Sequence, residues 1–270
     1  QVKVLENGPV LKSIGLYSEA PGANWLERRI NLYAGSGEVQ IENVVDKKAI
    51  RTKEAVHFGF PFNAELDKTI MDAGYGSMRY LTDQLPGSNM DYMYGRRWLD
   101  VTTADKGVQW MLLENPLVEP GQMIDERLTV QPNHKEWKKE GKPTSTWFSY
   151  AMNNYWHTNY KADQEGVTHF RYALRPHGTF NYSETEKMGS EFTQPLLALR
   201  VNESMLFGDG LFELTNNNIV VTSITPQENG GYLIRLYNPE LAAEKTLVNW
   251  KKIKPSQVVD TKTGKKLVPS

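Results

Sequence analysis

An all-β sandwich is the fold class that this 270-residue sequence predicts. Three observations carry that reading. Side-chain polarity alternates with a period of two, short turn-forming clusters separate the alternating runs, and no stretch keeps a helical period between caps. Ile30, Leu32 and Ala34 alternate with Arg29, Asn31 and Tyr33. Val56, Phe58, Phe60 and Phe62 place four apolar side chains on one face of an extended segment. Val108, Trp110 and Leu112 repeat the pattern, as do Phe170, Tyr172 and Leu174, and later Tyr232, Ile234 and Leu236. The connections have hairpin chemistry. Ala34-Gly35-Ser36-Gly37 joins two alternating runs, Asn229-Gly230-Gly231 precedes Tyr232, and Thr261-Lys262-Thr263-Gly264 closes the last hairpin. Only residues 150–154 and 239–244 leave room for short helices.

The length suits one large β domain followed by a small one. Regularity loosens between residues 189 and 218, where Pro195, Gly208 and Gly210 fall. The boundary is therefore placed at 205/206. Residues 1–205 form the large domain, and residues 206–270 form a small C-terminal β-sandwich domain. The stretch from His134 to Pro143 is highly charged and reads as a solvated loop.

Composition excludes several function classes. Lys and Arg total 31 against 32 Asp and Glu, a net charge of -1, so no basic face invites a phosphate backbone and nucleic acid is not an expected partner. No apolar run is long enough for a bilayer, so no membrane partner is expected. With no cysteine, thiolate metal sites and cysteine nucleophiles are impossible. Gln1-Val2-Lys3-Val4 shows neither a start methionine nor a signal-peptide pattern, and the chain reads as a piece of something longer. A soluble protein is expected. The periplasm and the cell exterior both suit it, and the residues do not choose a compartment.

Local catalytic motifs are missing. The five histidines form no HExxH and no His-x-Asp pair, and there is no GxSxG, GxxxxGK[ST] or GxGxxG opening a helix. Carbohydrate chemistry is better served. Within ten residues, from Met152 to Lys161, stand Asn153, Asn154, Tyr155, Trp156, His157, Asn159 and Tyr160. Asn side chains offer a donor and an acceptor together, which matches vicinal hydroxyls. Trp and Tyr rings stack on the C–H face of a pyranose. Asn153, Asn154, Trp156, His157, Asn159 and Tyr160 are therefore candidate sugar ligands. The same residues also suit turn capping and inter-sheet packing. A second cluster, Arg97, Trp98 and Asp100, precedes a strand. It can bond sugar hydroxyls, or it can supply an Arg–Asp pair that fixes a sheet corner.

Three stretches together resemble the C-terminal region of glycoside hydrolase family 38, the α-mannosidases. One runs from Leu32 to Lys47 and on through Lys53-Glu-Ala-Val-His-Phe-Gly-Phe-Pro-Phe62. Another is Arg97-Trp98-Leu99-Asp100-Val101 with Gly107-Val108. The third is Val220-Val221-Thr222-Ser223-Ile224 followed by Ile234-Arg235-Leu236-Tyr237-Asn238-Pro239. The resemblance implies a large galactose mutarotase-like β-supersandwich, then a small β domain. It also implies an N-terminal catalytic domain of the same polypeptide as partner, with the nucleophile and the zinc on that domain. It carries no catalytic residue, metal ligand or cofactor onto this chain. A mannoside or related glycan is the expected ligand. Two other readings stand beside it: a free-standing carbohydrate-binding module, and a mutarotase- or lyase-like enzyme. The enzyme reading needs His57 or His157 to face a carboxylate in a pocket.

Overall fold

The computed structural model describes residues 1–62, 68–123, 137–155, 161–198, 200, 210–228, 230–251 and 254–267. The chain divides into two compact units, Gln1–Phe180 and Asn181–Ser270. The boundary expected at 205/206 lies within residues 201–209, outside the described residues.

The first unit is antiparallel β. Its strands are β1 (Val2–Asn7), β2 (Leu11–Ser18), β3 (Ala23–Tyr33), β4 (Val39–Lys47), β5 (Ala55–Pro61), β6 (Thr69–Asp72) and β7 (Ser77–Arg79). Then come β8 (Met93–Tyr94), β9 (Trp98–Thr102), β10 (Gly107–Leu112), β11 (Leu117–Pro120), β12 (Thr146–Asn153) and β13 (Gly166–His177). Nine of them form one sheet in the order β1-β2-β3-β4-β13-β10-β9-β6-β7, and four form a second in the order β5-β12-β11-β8.

The alternating residues build the core between these sheets. Phe58 and Phe60 on β5 are buried, and Val56 and Phe62 pack against the same cluster. The ring of Phe60 meets Trp110 of the large sheet at 4.3 Å and Tyr172 at 5.0 Å, and Phe58 meets Phe170 at 5.5 Å. Each such ring contributes roughly 1.5–3 kcal/mol by leaving water. A polar bond sits inside the core, between Ser149 Oγ of β12 and the Tyr172 hydroxyl of β13, at 2.7 Å. Burial pushes that hydroxyl's pKa up. On β10, Gln109 and Met111 are buried as well as Trp110 and Leu112, because this central strand is covered on both faces.

The second unit holds α1 (Tyr182–Thr193) and the strands β14 (Phe212–Leu214), β15 (Val220–Pro226), β16 (Tyr232–Tyr237), β17 (Val248–Trp250), β18 (Val258–Val259) and β19 (Lys266–Leu267). They pair two by two, β14 with β17, β15 with β16 and β18 with β19. In β16 the alternation does not mark a core face, for Tyr232 and Leu236 are both exposed.

The helix expectations need correction. Residues 150–153 are strand, the end of β12. No helix forms at 239–244, where Asn238 instead accepts from the Glu240 amide and donates to the Ala242 carbonyl. The helix α1 does not follow from the sequence pattern. It buries Ser183, Thr185, Glu186 and Gly189, so it has no apolar stripe for periodicity to detect. Its cap was visible. Asn181 accepts from the Glu184 amide at 2.9 Å, in an Asn-x-x-Glu pattern. The charged stretch is not wholly solvated either, since Lys138 bonds both Asp91 and Met90, and the Lys142 carbonyl accepts from the Tyr80 hydroxyl.

Candidate functional site

Asn153 and Asn154 sit where β12 ends, beside a cleft of about 110 Å³ lined by residues that include Lys47, Glu54, Asn153, Asn154, Lys161 and Asp163. Asn154 is fully engaged there. Its Oδ1 accepts from the Glu54 amide at 2.6 Å, and its Nδ2 donates to the carbonyls of Ile50 and Thr52 at 2.9 and 3.0 Å. The Asn153 carboxamide oxygen accepts from the Tyr155 amide. A second anchor follows in the chain. Asp163 takes Arg51 at 3.1 Å and Lys161 at 3.2 Å, which holds its pKa below the usual carboxylate range. Both ends of the β12–β13 connection are thus tied to the segment after β4. Trp156, His157, Asn159 and Tyr160 lie outside the described residues. Deeper in the cleft, Lys47 pairs with Glu54 and caps the Lys48 carbonyl.

The second group lies at the start of β9 and just before it, and it faces inward. Trp98 is 2% exposed and Asp100 is 0% exposed. Arg97 Nε donates to Asp72 Oδ2 at 2.5 Å, with both side chains buried. The other Asp72 oxygen takes the Gly74 amide, and the Asp72 carbonyl takes the Arg96 amide. This is a sheet-corner ion pair, with Asp72 as the partner that the sequence did not reveal.

Asp100 pairs with His177, whose Nε2 lies 2.8 Å from Oδ2, while the histidine Nδ1 lies 2.9 Å from the Gly178 carbonyl. A carbonyl only accepts, so Nδ1 carries a proton and donates it. Either an imidazolium then faces a carboxylate, or a protonated Asp100 donates to a neutral ring. Both ring nitrogens are occupied in either case, and none is left for a substrate. Burial raises the Asp100 pKa, and His177 opposes the rise. Among the described residues the buried Asp100 Oδ1 has no hydrogen-bond partner.

His57 does face a carboxylate. Its Nε2 is 3.0 Å from Glu119 Oε2, and its ring stacks on Tyr150 at 4.8 Å between centroids. Desolvation drives the Tyr150 hydroxyl pKa well up. The His57 side chain is 6% exposed and is not among the residues lining the cleft.

Sequence reasoning passed over the β6–β7 turn. Tyr75 stands there between Gly74 and Gly76, with φ at +60° and 47% exposure. The Arg96 guanidinium carbon lies 4.9 Å from its ring centroid and that of Arg97 lies 5.5 Å away. An aromatic residue flanked by glycines in a tight turn was the available signal.

No family model matches the chain, and no curated protein matches it. Solved structures do share its fold. It is similar to a protein in glycosyl hydrolase family 38 from Enterococcus faecalis, with TM-score 0.67 and 14% identity over 93% of this chain and 32% of that one. It is also similar to an alpha-mannosidase from Enterococcus faecalis V583, with TM-score 0.70 and 12% identity over 93% of this chain and 31% of that one. The chain thus spans about a third of the length of these structures. At such identities the likeness establishes a shared all-β fold. Among the described residues no helix is long and apolar enough to cross a membrane.

Proposed function

We propose that this chain is the non-catalytic C-terminal β region of an α-mannosidase-type glycoside hydrolase, which supports the catalytic domain and contributes to binding the glycan. One observation carries the reading: 93% of the chain follows the fold of about a third of each of two longer chains, a glycosyl hydrolase family 38 protein and an alpha-mannosidase. The polar groups described above favour a supporting role. Arg97, Asp100, Asn154 and His177 spend their hydrogen bonds on the protein itself. Among the described residues no three of His, Asp and Glu gather as a metal site. Zinc belongs, on this reading, to the catalytic domain of the same polypeptide.

The test is hydrolysis of an aryl α-mannoside with zinc supplied. The 270-residue chain alone is expected to be inactive, and a longer gene product containing it active. Turnover by the chain alone would overturn the reading, as would a gene with no catalytic domain. A second reading, from the residue types at 153–160 alone, is a free-standing carbohydrate-binding module. That reading requires the isolated chain to bind a manno-oligosaccharide and to lose affinity on Trp156→Ala.

A further inference from the structure

We infer that the inner face of β1, β2 and β3, the face that the large sheet turns to the core, is an interaction surface covered by a segment of the longer polypeptide outside these 270 residues. That segment lays apolar side chains on the face and sets carboxylates against Lys12 and Arg28. The inference rests on the proposed function for the existence of the longer polypeptide, and it takes the choice of face from the sheet itself.

Sheet geometry is the first ground. Nine strands stand on one side of the core and four on the other. Directly paired residues share a face. One such row runs Val4–Ile14–Ile30–Ile41–Tyr172–Leu112, from β1 across to β10. At its inner end Tyr172 and Leu112 belong to the core between the sheets, each 1% exposed, and Ile41 packs against that core. Toward β1 the same row reaches 37% exposure at Ile14 and 70% at Val4. The rows on either side carry Val2 at 66% and Leu32 at 47%. Among the described residues β1 and β2 add nothing to the core cluster, every residue of β1 is exposed, and its outer edge pairs with no strand. Single exposed apolar residues are ordinary, but a contiguous apolar face beside an open strand edge marks a site of association.

Charge selects the occupant. From β1 to β4 these three rows hold Lys12 and Arg28, both exposed, and no Asp or Glu. Arg28 gives its Nε to Asn43 Oδ1 at 2.9 Å, which fixes the direction of its guanidinium. A second copy docked about a two-fold axis would meet the same patch and set cations on cations. A different surface with carboxylates at its rim meets no such repulsion. The longer chains of this fold have room for one, because only 32% and 31% of their lengths are matched here. Strands lying about 10 Å above β1–β3 would continue the sandwich.

The test is hydroxyl-radical footprinting of the isolated chain and of the longer gene product, read residue by residue by mass spectrometry. In the monomeric chain Val2, Val4, Ile14 and Leu32 should label readily. In the longer product their labelling should fall at least about fourfold, because side chains 37–70% exposed in the chain would enter a core. Val4→Asp should restore the labelling of Ile14 and Leu32 in the longer product. The same substitution should shift the Tm of the isolated chain by no more than about 2 °C, since an exposed edge position has little packing to lose. Equal labelling in the two proteins would overturn the inference. So would protection already present in the monomeric chain, or a Val4→Asp chain that melts well below the wild type. Protection that appears in the isolated chain only as its concentration rises would give the face to a second copy and overturn it too. Mannoside turnover is scored separately. An active longer product with the face still labelled removes this inference alone, whereas an inactive one with the face protected removes only the α-mannosidase reading. A gene encoding nothing beyond the 270 residues removes both.

Discussion

Gly107→Ala should destabilise the first unit by driving His177 away from Asp100. The strand there is extended and glycine's conformational freedom is not needed, so the effect is one of space. A Cβ on Gly107 would stand 2.5 Å from His177 Cε1, 2.8 Å from its Nε2 and 2.9 Å from Thr102 Oγ1. The threonine hydroxyl can rotate aside. The imidazole, 21% exposed and bonded on both nitrogens, has to swing out. Asp100 then keeps a 0% exposed carboxylate whose Oδ1 already lacks a partner among the described residues. Removing one member of a buried pair costs about 3–5 kcal/mol, and losing a hydrogen bond to a charged group about 1.5–3 kcal/mol. Alanine favours a strand interior over glycine by roughly 0.5–1 kcal/mol, and uptake of a proton by Asp100 relieves part of the rest. The net expectation is a loss of about 2–3 kcal/mol. His177→Ala removes the partner and the obstacle together and should cost about as much by the same reasoning. The double variant should then match His177→Ala alone instead of showing the sum. Urea denaturation at neutral pH, followed by tryptophan fluorescence with the slope held common, measures all three. A Gly107→Ala protein within about 0.5 kcal/mol of the wild type would refute the reasoning, as would strict additivity in the double variant.

Other expectations follow from the same contacts. Asp100 has its pKa raised above the ordinary 3.8, so its contribution to stability is complete below that value and is lost as pH rises through the raised one. The stability of the wild type relative to Asp100→Asn should accordingly fall as pH climbs above about 4, and a flat difference between the two urea profiles would contradict this. Arg97→Met leaves Asp72 buried without its cation, and a loss of about 3–5 kcal/mol is expected in the same denaturation assay. Asn154→Ala removes three bonds to the segment after β4. It should cost about 1–3 kcal/mol and speed proteolytic cleavage near residues 50–54, read by mass spectrometry of the fragments.

The shared fold of the two Enterococcus faecalis structures extends over nearly the whole chain at very low identity. A fold shared at that distance carries no set of reactive side chains with it. This is why the glycan and the catalytic partner are matters for the mannoside assay.

By itself the sequence determined that the protein is all-β, and which faces of β5, β10 and β13 meet in the core. A period of two is a local property, and burial follows it wherever one face is covered. The charged and polar candidates were legible as residue types but not in their duties. Asp100 and His177 are 77 residues apart, Asn154 and Glu54 are 100 apart, and Arg97 and Asp72 are 25 apart. Only the folded sheets bring them into contact, and those contacts turn apparent sugar ligands into internal pairs. α1 escaped because its buried face is polar, and burial against polar neighbours leaves no hydrophobic period. Tyr75 escaped for the opposite reason. Its strained turn exists only once β6 and β7 are aligned, since φ there is set by the tertiary structure and by no single residue.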